Sequence, residues 1–426
     1  MDLSKLVPVV QRFPHRGLPD VVAAVREELA AKQIGSQLKP RARVAIGAGS
    51  RGIANLSAIV GATVAHFQDL GLDPFVFPAM GSHGGGTAQG QLDVLAHYGV
   101  TESKVRCPVV SSLDVVELGQ TPEGIDTYVD RTAFQSDGIF VVNRVKWHTT
   151  FDAPLESGPM KMTAIGLGKL QGATDYHRHA VRLGFSPVIR SVARHVIASG
   201  KVLGGLALLE DAHHDTAKVV ALPADRMEQE EEKLLILVRS WMARILFDEV
   251  DVLIVDEVGK HISGVGMDSK VINRHPYGGV NPWPWAPQIL RVYIRDLSPL
   301  SYGNAIGIGM ADVISERAYS KVDWKATRVN AMASSNMPAI RTPLRAETDR
   351  EALEVLTKVV GRARPRDVTC VWIRNTLELS KVVVTENLVE NAPPGVDRGG
   401  GSFNWEFDRD GALVSPFEQG VPALVR

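Results

Sequence analysis

Hydrophobic and polar positions switch between two periods along the first half of the chain. RVAIGAG (43–49) is a nearly unbroken apolar run ending in glycine, the pattern of a buried strand entering a turn. IANLSAIVGATVAHFQDLG (53–71) carries apolar residues at helical spacing, and Gly71 marks where that helix should stop. DPFVFPAMGSHGGG repeats the scheme of strand and glycine-rich turn, with a helix expected around AQGQLDVLAHYG. GIFVVNRV (138–145) predicts another strand, whose end delivers Lys146, Trp147 and His148.

DRMEQEEEKLLILVRSWMARIL (225–246) reads as one long charged amphipathic helix, after which DVLIVDEVGK (251–260) restarts the strand-then-turn scheme. A boundary near residue 245 divides the chain into domains 1–245 and 246–426. Further strands are expected at 290–297 and 368–376, with helices over NAIGIGMADVISERAYS and REALEVLTKVVGR. The stretch APPGVDRGGGSFNWEF is expected to be loop. Alternating strands and helices predict an α/β fold in both halves, and 426 residues exceed what one core usually serves.

Composition narrows the function classes. With 47 basic and 48 acidic residues the formal charge is −1, which argues against nucleic-acid or membrane-surface binding through bulk charge. Cys107 and Cys370 stand far apart without metal-type spacing, so neither a disulfide framework nor a thiolate zinc site is expected. The first residues lack a long apolar segment, and no later run approaches a membrane span, which predicts a soluble, cytoplasmic protein.

Four clusters carry candidate chemistry, each after a predicted strand, and ligands of open α/β sheets bind beyond the carboxyl ends of strands. All four are therefore expected to share one cleft. In GAGSRG (47–52), Gly47, Gly49 and Gly52 fit the spacing of a dinucleotide fingerprint, but Asp69 and Asp73 are poor acidic partners for it. Arg51 in that turn suits a phosphate or carboxylate; a surface arginine is the competing reading. His83 sits against three glycines, either facing a ligand or merely in a turn. His148 at a strand end suits acid–base work near neutral pH, against a purely structural histidine.

ESGPMKMTAIGLGK (156–169) places Lys161 between methionines. Desolvation there favours a nucleophilic amine, whereas a lysine that packs its stem and keeps its head in water fits equally. His177 and His179 stand two apart and point to different helix faces, so at most one faces a site. No self-sufficient zinc spacing accompanies them. His213 and His214 are expected to be solvated. Glu257 and Lys260 follow a buried strand; the lysine suits a substrate carboxylate, and an ordinary surface pair is the competing reading.

The order of these clusters is specific. A Ser-Arg turn, a Gly-x-His-Gly loop, a strand-end His, an S-G-x-x-K segment, a further His and an E-x-x-K resemble the nickel-pincer-nucleotide 2-hydroxyacid racemases, the lactate racemase family. The resemblance runs from about residue 40 to 310 and is densest in 81–91 and 143–180. It implies two α/β domains with the active site in the interdomain cleft, and a pyridinium mononucleotide whose two sulfur-bearing arms hold nickel. Lys161 matches the lysine that joins this cofactor, with Ser50, Arg51, Ser157 and Gly158 around it. The histidine sixteen residues later, His177, matches the nickel ligand, with His179 as fallback. His83 and His148 match the acid–base pair, and Arg51, Glu257 and Lys260 the substrate contacts. The implied activity is racemisation or epimerisation of a small 2-hydroxy acid.

The chain departs from the family pattern at Ala48 and Ser50 in the first turn, at Pro159 after Ser157–Gly158, and at Glu257 where the family has Gln. The extra negative charge at Glu257 favours a hydroxy acid other than lactate. Trp147 and the NPWPWAP stretch (281–287) are expected to line a larger, more apolar pocket. Two other classes compete: an NAD-dependent 2-hydroxyacid dehydrogenase using GAGSRG, and a non-catalytic protein binding a nucleotide or sugar acid.

Overall fold

The computed structural model describes residues 2–49 and 52–417. They form two compact units, one within residues 14–242 and the other of residues 2–13 with 243–417. Both units are α/β.

In the 14–242 unit, five strands lie in the order Asp73–Pro78, Arg43–Ala48, Gly138–Arg144, Val202–Glu210 and Thr216–Pro223. The first four are parallel and the last is antiparallel. Helices cover both faces, and the central strands are apolar throughout because each face must be buried. In Gly138–Arg144, Ile139 and Val141 enter one core with Val188, Val192 and Val196 of the helix Phe185–Ala198. Phe140 and Val142 enter the other, with Ile59, Val60 and Phe67 of Leu56–Asp69. The alternation follows from the two-residue period of a strand.

The other unit holds an eight-stranded sheet. Leu344–Ala346, Val313–Ser315, Gln288–Leu297, Glu249–Val258 and Cys370–Ile373 run parallel, followed by Lys381–Thr385, Leu6–Gln11 and Val396–Arg398 in antiparallel pairing. Leu6–Gln11 thus belongs with the second half of the chain, not with the first domain as the sequence suggested. Its backbone completes the ladders of two later strands, and Gln11 ties it to Leu379 and Leu246.

Three element expectations are corrected. The charged helix spans only Met227–Arg239, because Ser240 caps back onto Leu237 and Trp241 turns to lie under the Arg16 guanidinium. The stretch 304–320 is not one helix. Gly307, at φ 101°, presses against the Val265 carbonyl, and Val313–Ser315 then pairs with Gln288–Leu297 before a short helix, Glu316–Ser320. Within the expected loop, Val396–Arg398 forms an edge strand. Among the described residues no helix is long and apolar enough to cross a membrane.

Candidate functional site

Three of the four clusters leave neighbouring parallel strands of one sheet, so their loops emerge at the same edge. The turn after Arg43–Ala48 carries Ser50 and Arg51, which lie outside the described residues. Its flanks are tightly held. The Gly52 carbonyl accepts a hydrogen bond from Arg144 (2.9 Å), and Arg144 pairs with Glu210. A side chain at Gly49 would start 2.9 Å from Asn143 Oδ1 and 3.0 Å from Met162 Cε, which explains glycine there. Asn143 also donates to the Gly158 carbonyl (3.1 Å), joining the first turn to the Ser157–Gly158 segment.

After Gly138–Arg144, Lys146 and Ser157 exchange backbone hydrogen bonds (3.0 and 3.2 Å) and close the loop between them. That loop folds around Glu156, a fully buried carboxylate. Glu156 accepts from the His148 N–H, from the Ala153 N–H (3.1 Å) and from Arg239, which also pairs with Asp152. The His148 backbone is thus fixed from beneath. Its half-buried ring receives the Thr150 N–H at Nδ1 (3.2 Å) and stacks on Phe151 (centroids 4.5 Å). Phe151 stacks on Phe185 (5.4 Å), and His177 meets the same Phe185 edge-on (5.2 Å). His148 and His177, far apart in sequence, therefore flank one aromatic pair.

Ser157 and Gly158 lead into the short helix Pro159–Lys161. Gly158 is in extended conformation, so its need for glycine is steric: a Cβ would lie 2.2 Å from Glu231 Oε1. Glu231 is 1% exposed, and Oε2 accepts the Met160 N–H (2.7 Å), while Oε1 has no hydrogen-bond partner among the described residues. Burial pushes this carboxyl up to about 8. Lys161, half-buried, ends the short helix, and the chain continues as a single π-helical turn, Met162–Gly166. Such insertions often accompany functional sites.

His177 lies on the helix Lys169–Leu183, with Nδ1 2.5 Å from the Ala173 carbonyl. That contact puts the proton on Nδ1 and leaves the lone pair on Nε2, an arrangement compatible with metal binding. Burial lowers its pKa; the Ala173 carbonyl opposes this, and the positive charge of nearby Lys161 adds to it. His179 points elsewhere, 3.7 Å from Asp175. The two histidines thus divide between helix faces as their spacing predicts.

His83 follows Asp73–Pro78 and is half-buried in the glycine loop. Gly84, at φ 63°, has no room for a Cβ, which would fall 2.5 Å from the Gln91 nitrogen. Gly81, at φ 58°, rests against Ile165 and Ala173, so the loop is seated on the π turn and on the residue that bonds His177. The loop, Lys161 and His177 thereby share one scaffold.

The fourth cluster lies on the sheet of the other unit. Glu257 is half-buried near the end of Glu249–Val258, and Lys260 donates its ammonium to the Gly264 carbonyl (3.0 Å). Trp147 and Trp283 are core side chains, 3% and 4% exposed, rather than an open lining; Trp285 is exposed. Trp283 lies beneath the Lys270 ammonium. His213 is half-buried, stacked on His15 (3.7 Å) and bonded through its backbone N–H to Asp211 (2.9 Å), whereas His214 is exposed as expected. His15, Asp211 and Asp215 bring ligand atoms within 4.8 Å of one another.

Sequence reasoning missed Glu156, Arg239, Glu231 and Phe185. Glu231 was hidden inside EQEEEK, where every glutamate looks solvated. Phe151, three residues after His148, was the one aromatic with a local signal.

No family model matches the chain, and no curated protein matches it. Among solved structures, the fold is similar to that of a Thermotoga maritima protein determined by a structural genomics consortium, at 14% identity and a TM-score of 0.50, over 77% of this chain and 85% of that one. The lactate racemase apoprotein from Thermoanaerobacterium thermosaccharolyticum aligns at 12% identity and a TM-score of 0.49, over 84% of this chain and 96% of that one.

Proposed function

We propose that this protein is an isomerase that racemises or epimerises a small 2-hydroxy acid with a nickel-pincer nucleotide. The observation that carries the reading is the grouping of His148, Phe151, Phe185 and His177, with Lys161 close enough to perturb His177, beside the loop that holds His83. The cofactor fits the donor set. His177 offers a neutral Nε2 with its second nitrogen already bonded to a carbonyl, suiting nickel. Lys161 stands at the end of a helix built over the sterically restricted Gly158, next to Ser157, and is the residue proposed to attach the nucleotide.

When bound, this group supplies a hydride acceptor, which removes the need to ionise a weakly acidic Cα–H. His83 and His148 then hold and return the hydroxyl proton, one on each side of the substrate carbon. Phe151 and Phe185 keep water from the ring of His148, and the Glu156–Arg239 pair holds its backbone in place. By resemblance to the family, Arg51 or Lys260 takes the carboxylate-binding role and Glu257 is a further substrate contact, and the substrate class follows from the same resemblance.

A dinucleotide-dependent dehydrogenase is disfavoured. The strand that should end in an acidic residue for the ribose ends at Pro78 and runs on through Ala79 and Met80, while Asp73 sits at its opposite end.

The test is nickel per chain by elemental mass spectrometry, on protein co-produced with the cofactor-making enzymes, followed by a chiral assay on 2-hydroxy acids. About one nickel per chain, lost in His177→Ala, and interconversion abolished by His83→Ala or His148→Ala are expected. Absence of nickel where a known family member loads normally would refute the reading.

A further inference from the structure

The loop that carries His83 is anchored from below by a chain of buried polar groups that the proposed chemistry does not use. Lys169 is fully buried and holds its backbone at φ 54°, a conformation that non-glycine residues rarely adopt. Its ammonium has three donors and three acceptors around it: the Pro78 carbonyl (2.8 Å), Gln91 Oε1 (2.8 Å) and Asp130 Oδ2 (3.4 Å). Because lysine only donates, the oxygen of the Gln91 amide must face it, which turns the amide nitrogen toward the loop. That nitrogen donates to the carbonyls of Gly81 (2.8 Å) and His83 (3.4 Å), on either side of Ser82. Gln91 and Asp130 are as buried as Lys169.

Glycine at 81, 84, 85 and 86 gives this loop little intrinsic rigidity, since every one of them adopts positive φ. The loop's own backbone bonds are long: His83 N–H to the Met80 carbonyl and Gly86 N–H to the His83 carbonyl at 3.2 Å, Thr87 N–H to the Gly84 carbonyl at 3.4 Å, and Gly81 N–H to the Gly166 carbonyl at 3.5 Å. We propose that Lys169 and Gln91 are positioning residues that hold the backbone around Ser82 and thereby set the place of the His83 imidazole. The relay starts at the first residue of the helix that bears His177, so it ties the two histidines to one element. The functional part of this inference rests on the proposed proton-transfer role of His83; the structural part does not.

Gln91→Glu separates positioning from simple satisfaction of a buried lysine. The carboxylate still accepts from Lys169, now with opposite charge, but it cannot donate to the Gly81 and His83 carbonyls. Gln91→Met removes both functions at similar size. Hydrogen–deuterium exchange of residues 80–87 is expected to rise by about tenfold or more in both variants, with exchange in Gly138–Arg144 unchanged. In the racemisation assay kcat is expected to fall while KM holds.

Wild-type exchange over 80–87 in Gln91→Glu would overturn the proposal, because an acceptor for Lys169 would then be all that is required. If neither variant folds, the wild-type protein decides: Gln91 side-chain amide protons slowed about a hundredfold relative to free glutamine support anchoring, and freely exchanging ones overturn it. Faster loop exchange in Gln91→Glu, in a protein that shows no racemisation at all, would support the positioning role and refute only the proposed function.

Discussion

Glu231→Gln tests whether the segment bearing Lys161 rests on a carboxyl that stays neutral at physiological pH. Glu231 is buried, bonds one oxygen to the Met160 N–H and has no partner for the other among the described residues. Its ionisation is displaced from 4.5 to about 8, chiefly by burial. The folded state therefore binds this proton more tightly than the unfolded chain. Below pH 4.5 both states are protonated and nothing is lost. As pH rises the unfolded chain ionises first, and stability falls until the buried carboxyl itself ionises near pH 8. At about 1.4 kcal/mol per unit the window is worth about 5 kcal/mol, of which about 3 kcal/mol is lost by pH 7. Glutamine keeps the carbonyl for Met160 but cannot ionise. Its amide nitrogen replaces an unpartnered oxygen with an unpartnered donor, a change of about 1–3 kcal/mol that does not depend on pH. Urea unfolding of both proteins between pH 4.5 and 8 is the assay, and the quantity read is the difference between them. That difference should move in favour of glutamine by about 3 kcal/mol from pH 4.5 to pH 7. Parallel stability curves would mean that Glu231 is ionised in the folded state, and the reasoning would fail.

The same carboxyl makes Gly158→Ala a steric test: the new Cβ would start 2.2 Å from Oε1, so a loss of about 1–3 kcal/mol is expected. Adding Glu231→Ala should recover at least about 1 kcal/mol of the summed losses in a double-mutant cycle by calorimetry, and strict additivity would refute the clash. Arg239→Met leaves Glu156 buried without its cation and should cost about 3–5 kcal/mol by urea unfolding; a loss under about 1 kcal/mol would show that the backbone N–H groups alone hold the carboxylate. At His177 burial holds the ring neutral to lower pH than usual, so nickel binding by the loaded protein should be half-lost below pH 6.5, not above it, in a pH titration followed by elemental analysis.

The strands and their order of appearance were readable because burial on both faces forces apolar runs, as in RVAIGA and GIFVVNR, and glycine closes each one. Which sheet a strand joins was not. Leu6–Gln11 carries nothing in its own pattern to say that it pairs with Lys381–Thr385, because that choice is made by a ladder between residues more than 370 positions apart. The stretch 304–320 failed for a related reason: its apolar spacing suits a helix, but Gly307 is pressed onto the Val265 carbonyl and the following residues find a strand partner.

The same division holds at the candidate site. His83, His148, Lys161 and His177 were legible because histidine and lysine stand out against glycine and apolar neighbours. What holds them was not, because each support is a partnership across distance. Glu231 and Met160 are 71 residues apart, Lys169 and Gln91 78, and Arg239 and Glu156 83. A glutamate in EQEEEK and one in ESGPMK look equally solvated in the sequence, yet one is buried without a cation and the other is buried against one. Chemical character is set by residue type and can be read locally. Ionisation and position are set by what a fold brings alongside, and at these two buried carboxylates the fold brings different things: Glu156 is paired with Arg239, whereas Glu231 has no such pair and is pushed up chiefly by burial.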